Sequence, residues 1–302
     1  MANIHMGYMG HCMINGVQYL ITGSSLNPVQ TMVAPDVVQG FYMRKGWNYG
    51  KVEIGGNVTG PLHEYSRNLW PLCFDRNSDG DHLASGGIEV DVAYYKGEGL
   101  KFGHAFINSL EISATAGDVV SFTADFMGAK TDETADPSTA VARLQDYEEA
   151  TCSKLVTWDR VAFEAVGITA TIKNIQSFTL TLNNNLERMY SIRDDYTTQD
   201  LYPIDVVAGM REISGSLSLY AEGPIFVNGG MFTISKFGAN RYTDYQATDR
   251  TTINFTVGGA FGGGDVIPET TFDVVFNRPE ASAQTGAMIY TLNFAAVCNA
   301  TM

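Results

Sequence analysis

The sequence predicts an all-β protein, mainly an antiparallel β-sandwich or barrel, with one or two short helices and long loops. Three observations carry this expectation. Apolar and polar residues alternate with period two along most of the chain, as in strands that bury one face and solvate the other. Clusters such as Asn183-Asn184-Asn185, Gly229-Gly230 and Asn277-Arg278-Pro279 punctuate the alternating runs as turns. The 31 glycines suit a chain with many bends, and apolar residues at helical spacing are scarce.

Taken in order, alternation places strands at 17–22, 49–58, 88–95, 105–114 and 119–126 in the first part of the chain. In 105–114 the polar positions are Ser109, Glu111 and Ser113, set between Leu110, Ile112 and Ala114. Further strands are expected at 160–164, 168–182, 211–220, 231–237, 251–257, 271–276 and 287–295. In 168–182 the polar set is Ser177, Thr179 and Thr181, against Phe178, Leu180 and Leu182. Helix is expected in two places only. Residues 138–150 follow a Ser-Thr start with Val141, Leu144 and Tyr147 spaced three apart, and 201–210 has room for a turn or two after Pro203.

With 302 residues the chain can bury a substantial core, as one large domain or two modest ones. Its apolar content of 45% and charged content of 17% are globular, and no apolar run approaches the ~20 residues of a membrane-spanning helix. The first residues lack a positive stretch followed by an apolar one, so folding in a cytoplasm is expected. Cys12, Cys73, Cys152 and Cys298 lie far apart with no paired spacing. Free thiols, several of them buried, are the expectation there. Without export, the sequons at Asn57, Asn254 and Asn299 carry no meaning.

The formal net charge of −14 speaks against a protein that grips DNA. Such grip needs clustered Lys and Arg that displace counterions from phosphates, and Arg44-Lys45 is the only adjacent basic pair among the isolated cations noted.

Two related halves, 1–130 and 154–302, are expected around an acidic linker or loop at 131–153, a single elaborated domain being the other possibility. Between Thr131 and Ala150 the acids Asp132, Glu133, Asp136, Asp146, Glu148 and Glu149 face one base, Arg143. A solvated surface segment explains them. The halves overlay loosely, with 51–62, 87–93 and 105–114 set against 211–219, 271–276 and 287–295.

Motifs for catalysis or ligand binding do not hold. Asp75-Arg-Asn77-Ser-Asp79-Gly80 opens like a calcium loop, but Gly86 stands where a bidentate Glu is needed. An Asx-rich turn accounts for it. Gly258-Gly-Ala-Phe-Gly262-Gly-Gly-Asp265 lacks the Lys-Ser/Thr of a phosphate loop and reads as a mobile loop. His5, His11, His63, His82 and His104 have no metal spacing, and His5, His11 and Cys12 suggest a flexible terminus. No nucleophile elbow and no glycosidase pair emerges, Glu148-Glu149 and Asp194-Asp195 being adjacent acids in polar segments. No enzyme, no cofactor and no metal is therefore expected.

Residues 106–130 and 172–220 each begin with an asparagine-flanked alternating strand, Ile107-Asn-Ser-Leu-Glu-Ile-Ser-Ala114 and Ile175-Gln-Ser-Phe-Thr-Leu-Thr-Leu182. After an irregular stretch the second leads to Arg211-Glu-Ile-Ser-Gly-Ser-Leu-Ser-Leu-Tyr220. With 15–26, Trp158-Asp-Arg-Val-Ala162 and 203–210, this order resembles the tail tube proteins, or major tail proteins, of tailed bacteriophages. The resemblance covers roughly half the chain.

It implies a structural virion protein whose rings stack into a tail tube, line the lumen with strands from every subunit, and pass DNA without specific binding. Its implied partners are itself, adjacent rings, a tail terminator, baseplate or tip and sheath proteins. A single elaborated domain would give a hexameric ring, which is favoured, whereas two tube-like halves would give a pseudo-hexameric trimer. Ser109, Glu111, Ser113, Ser177, Thr179 and Thr181 are the candidate lumen or inter-subunit residues. A stacking contact is expected from 131–150. The alternatives are a decoration or carbohydrate-binding β-sandwich with an aromatic patch from Trp47, Tyr49, Trp70 and Tyr94-Tyr95, and a β-rich hydrolase whose pocket is not located.

Overall fold

Alternating residues form strands, and the strands occur in chain order as β1 (His11–Ile14), β2 (Val17–Tyr19), β3 (Gly23–Ser24), β4 (Asn27–Val33), β5 (Asn48–Pro61), β6 (Ile88–Ala93), β7 (Gly99–Thr115) and β8 (Ser121–Thr131). The second part contains β9 (Val161–Val166), β10 (Ile175–Asn183), β11 (Glu187–Met189), β12 (Asp205–Val207), β13 (Glu212–Tyr220), β14 (Thr251–Val257), β15 (Ile267–Phe276), β16 (Glu280–Gln284) and β17 (Ala287–Thr301). One turn of helix, α1 (Leu69–Leu72), and a 3-10 turn at Trp158–Arg160 complete the described elements. This computed structural model describes residues 11–15, 17–33, 48–63, 66, 69–73, 88–93, 99–131, 155–166, 175–191, 201–220, 251–258, 264–276, 280–284 and 287–301.

Fifteen strands belong to one sheet, and β11 with β12 forms a separate ribbon. Every pairing among the described residues is antiparallel, and with strands predominating over one short helical turn the protein is all-β. The large sheet contains two runs of six strands, β4-β5-β8-β7-β6-β1 and β10-β13-β17-β15-β14-β9. They meet at β7. One edge of β7 follows β8 from Phe102 to Ser113, while its other edge takes β6 at Gly99–Ala105 and β10 at Ser109–Thr115. The fork coincides with a bulge: Ile107 lies opposite Phe126 and Ser109 opposite Asp125, leaving Asn108 as the extra residue.

The apolar halves of the alternating pattern make one core. Leu110, Ile112, Phe122, Leu180, Leu182, Leu217 and Leu292 are all buried, at about 1.5–3 kcal/mol for each large side chain removed from water. The sheet curls enough for distant strands to touch. Phe178 on β10 packs against Phe255 on β14 at 5.3 Å between ring centroids, although three strands lie between them in the sheet. Phe163 and Phe294 meet at 6.4 Å, and Tyr19 sets its edge against Phe122 at 5.8 Å.

Several expectations change. Residues 201–210 contain strand β12 rather than helix, because Val206 is buried while Asp205 and Val207 point outward in a paired ribbon. His11 and Cys12 belong to β1, where Cys12 is fully buried between β2 and β6, and not to a flexible terminus, whereas His5 lies outside the described residues. Helix α1 was not expected. Its Leu-Trp-Pro-Leu sequence buries Leu69, Trp70 and Leu72, and a proline is tolerated in a first turn, where its N–H has no partner to lose. Strands β1, β3, β4, β11, β12 and β16 were not expected either, each being short or, in β4, opening on the turn-like pair Asn27-Pro28. The expected helix at 138–150, the strand at 231–237, the first part of 168–182, the calcium-like loop at 75–80 and most of the glycine-rich loop at 258–265 lie outside the described residues.

Candidate functional site

All six candidate residues fall on one face of one continuous sheet. Antiparallel register lines Ser121, Ser113, Thr179, Ser216 and Asn293 side by side across β8, β7, β10, β13 and β17. The next row holds Thr59, Thr123, Glu111, Thr181 and Ser214, starting on β5. A third holds Asn57, Asp125, Ser109, Asn183 and Glu212, and a fourth Thr115, Ser177, Ser218 and Thr291. Side chains of adjacent strands in such rows stand close enough to interact. Ser113 Oγ is 2.9 Å from Ser121 Oγ, Thr59 Oγ1 is 3.3 Å from Thr123 Oγ1, and Ser216 Oγ donates to Thr179 Oγ1 at 3.3 Å.

Of the six candidates Glu111 is exposed and the other five are half-buried. The four rows carry the carboxylates Glu111, Asp125 and Glu212 and no Lys or Arg. Sequence reading missed the β8 and β13 members of this face. The alternation of Ser121-Phe-Thr-Ala-Asp125 and Ser214-Gly-Ser-Leu-Ser218 was the available signal.

One end of this face is held by a buried asparagine. Asn184, 1% exposed, donates from Nδ2 to the carbonyls of Ile107 at 2.8 Å and Cys73 at 3.0 Å, and its Oδ1 accepts from Arg211 Nε at 2.8 Å. Its backbone N–H donates to Asn108 O at 2.7 Å, and Asn108 Oδ1 accepts from Leu186 N at 2.9 Å. Asn108 Nδ2 donates to Asp125 Oδ2 at 2.9 Å. The asparagine run thus ties the β7 bulge, the end of α1 and the start of β13 together. Asn185 tolerates its positive φ of 48° as the tip of this turn, with its Nδ2 donating to Met210 O at 2.7 Å.

From this junction the β11–β12 ribbon crosses β5. Arg188 Nη2 donates to Ile54 O, Tyr190 Oη to Val52 O at 3.3 Å, and Lys51 stacks 5.4 Å from the Tyr190 ring centroid. Lys51 also pairs with Glu53, whose carboxyl is held below its ordinary value mainly by that hydrogen bond. The basic side chains near the polar face are thus gathered at its ribbon-covered end.

Other candidate sites do not assemble. Trp70 is 1% exposed and lies edge-on to Phe272 at 6.4 Å, so it cannot belong to a surface aromatic patch. Trp47, Tyr94 and Tyr95 lie outside the described residues. Cys12 and Cys73 are buried free thiols, and burial pushes the Cys73 thiol well above its ordinary value, which makes it unreactive. Among the described residues no group of three or more His, Cys, Asp and Glu stands together to hold a metal ion. No helix among them is long and apolar enough to cross a membrane.

What the described residues assemble is a broad hydroxylic face on one large antiparallel sheet, with strand edges that pair with nothing among them. The chain matches the phage tail tube protein family across residues 9–296 and belongs to that family. It is accordingly a structural protein of the virion tail. No curated protein matches it.

Proposed function

We propose that the chain assembles into stacked rings whose bore is lined by the polar face of β5, β8, β7, β10, β13 and β17, and that DNA passes through this bore toward the host. The observation that carries this reading is the continuous run of Ser, Thr, Asn and carboxylate side chains, Ser109, Glu111, Ser113, Ser177, Thr179 and Thr181 among them, without a cation in the four rows. A bore of this kind hydrates its wall and offers phosphates no counterion-release grip, so DNA slides. The opposite face of the same strands is apolar and buried, so only the polar face is available to water.

Negative-stain electron microscopy of the concentrated chain in moderate salt tests the reading. Rings or tubes with a central hole wide enough for a duplex are expected. Uniform monomers at every concentration would refute it. The acidic segment 131–150 is assigned to contacts between rings. Its deletion leaves folded rings that no longer stack, and unchanged tube length would exclude that assignment.

A further inference from the structure

We propose that the ring closes by pairing the free edge of β16 in one chain with the β3–β4 edge of a second copy, and that three chains complete it because each contributes two equivalent halves. This rests on the ring reading above. The two six-stranded runs have the same spatial order and the same chain order: β1, β4, β5, β6, β7 and β8 occupy the places of β9, β10, β13, β14, β15 and β17.

The sequences agree at the matched registers. Glu53-Ile-Gly-Gly56-Asn-Val58 on β5 corresponds to Glu212-Ile-Ser-Gly215-Ser-Leu217 on β13. Gly56 faces Phe126, and Gly215 faces Phe294. On those partner strands Phe122-Thr-Ala-Asp-Phe126 corresponds to Tyr290-Thr-Leu-Asn-Phe294. Asn108-x-x-Glu111-x-Ser113-Ala114 corresponds to Asn277-x-x-Glu280-x-Ser282-Ala283, with Glu111 opposite Thr123 and Glu280 opposite Thr291. The match sets 105–114 against 274–283, not against 287–295, and 88–93 against β14 rather than 271–276. The looser overlay read from alternation alone is therefore one strand out in two of its three pairs.

This equivalence makes β16 the counterpart of the second half of β7, and β3–β4 the counterpart of β10. Within the chain, those two counterparts pair: Glu111 lies opposite Thr181 and Ser113 opposite Thr179. Among the described residues, the outer edges of β16 and β4 pair with nothing. The β4 edge also lacks the charges that usually blunt a free edge, and leaves Val29 and Met32 54% and 66% exposed.

Strand direction allows the join. The path β4-β5-β8-β7-β10-β13-β17-β16 is antiparallel at each step and has an even number of strands, so its two ends run in opposite directions. Rotation about a ring axis preserves direction, and β16 therefore meets the neighbouring β4 antiparallel. The register of the β7–β10 join carries over as Glu280 opposite Asn27 and Ser282 opposite Ser25. Four strands from each half in three chains, about 4.8 Å apart, form a wall about 37 Å across from backbone to backbone before tilt, narrowed inside by its side chains. Six such chains would double it to about 73 Å, far wider than one duplex requires.

The test is oxidative cross-linking of assembled Asn27→Cys/Glu280→Cys protein, read on a non-reducing gel. Directly opposed positions on antiparallel strands have disulfide geometry. Each single variant is the background control, and Glu111→Cys/Thr181→Cys, which closes within one chain, reports that fold and chemistry are intact. A reducible ladder that ends at three chains is expected. A ladder reaching six overturns the three-chain closure. Rings visible by microscopy without inter-chain cross-links overturn the junction while the ring reading stands, and a chain that forms no rings at all overturns both.

Discussion

Removing the Asn184 side chain should be the most damaging polar truncation in the described core. Asn184→Ala deletes two donations to the Ile107 and Cys73 carbonyls and one acceptance from the Arg211 guanidinium, in a site 1% exposed to solvent. Each neutral bond is worth about 1 kcal/mol net, and the charge-assisted one about 1.5–3 kcal/mol, so the loss should be about 4 kcal/mol. Cys73 O keeps a 3.4 Å contact from Arg211 Nη2, which softens the loss on that side only. Urea unfolding followed by circular dichroism measures the change as a shift in midpoint at constant slope. Arg211→Met and the double variant complete a cycle whose coupling should be about 1.5–3 kcal/mol. A loss below about 1 kcal/mol for Asn184→Ala would show that water or neighbouring groups replace the amide, and that the asparagine does not hold the fork.

Three other outcomes are expected. Gly215→Ala sets a Cβ 2.3 Å from Phe294 Cζ and 2.4 Å from Thr179 O; the ring can swing but the backbone oxygen cannot, so a thermal melt should show about 1–3 kcal/mol lost, and no change would mean that β10 yields. Burial raises the pKa of Cys73 and of Tyr19 above their ordinary values of 9.0 and 10.0. The unfolded chain then releases these protons while the folded one keeps them. Stability should be full below pH 9.0 and fall as pH rises through 9.0 and then 10.0, by up to about 1.4 kcal/mol per pH unit for each group. Cys73→Ala should move the onset to the tyrosine. Finally, Glu111→Lys with Glu212→Lys turns exposed acids of the polar face into bases. Assembled variant tubes should retain duplex DNA at low salt and release it as salt rises, whereas wild-type tubes retain none; equal behaviour would place this face away from the bore.

The sequence by itself determined what each strand shows to its two sides. Period-two alternation put Leu110, Ile112, Phe178 and Leu180 into the core, and Ser109, Glu111, Ser177 and Thr179 on the opposite face, because neighbouring side chains on a strand must point to opposite sides. Composition likewise fixed the net charge of −14 and the scatter of Lys and Arg along the chain. Residues 201–210 misled because Pro203 and the following apolar residues suit a helical turn as well as a strand. Only a partner, β11, decides between them. Trp70 looked available because a local sequence does not reveal that Phe272, two hundred residues away, covers it.

Which strands are neighbours was decided by the tertiary structure alone. Alternation has the same period in every strand and so carries no address, whereas pairing joins segments as distant as β5 and β8, or β13 and β17. The fork at Asn108, the convergence of Ile107, Cys73 and Arg211 on Asn184, and the matched order of the two six-stranded runs are all products of that long-range pairing. Registers across strands then reveal that Glu111 and Glu280 hold equivalent places, a relation that the chain spells out in Asn-x-x-Glu-x-Ser-Ala but that becomes legible only once each residue's neighbour across the sheet is known.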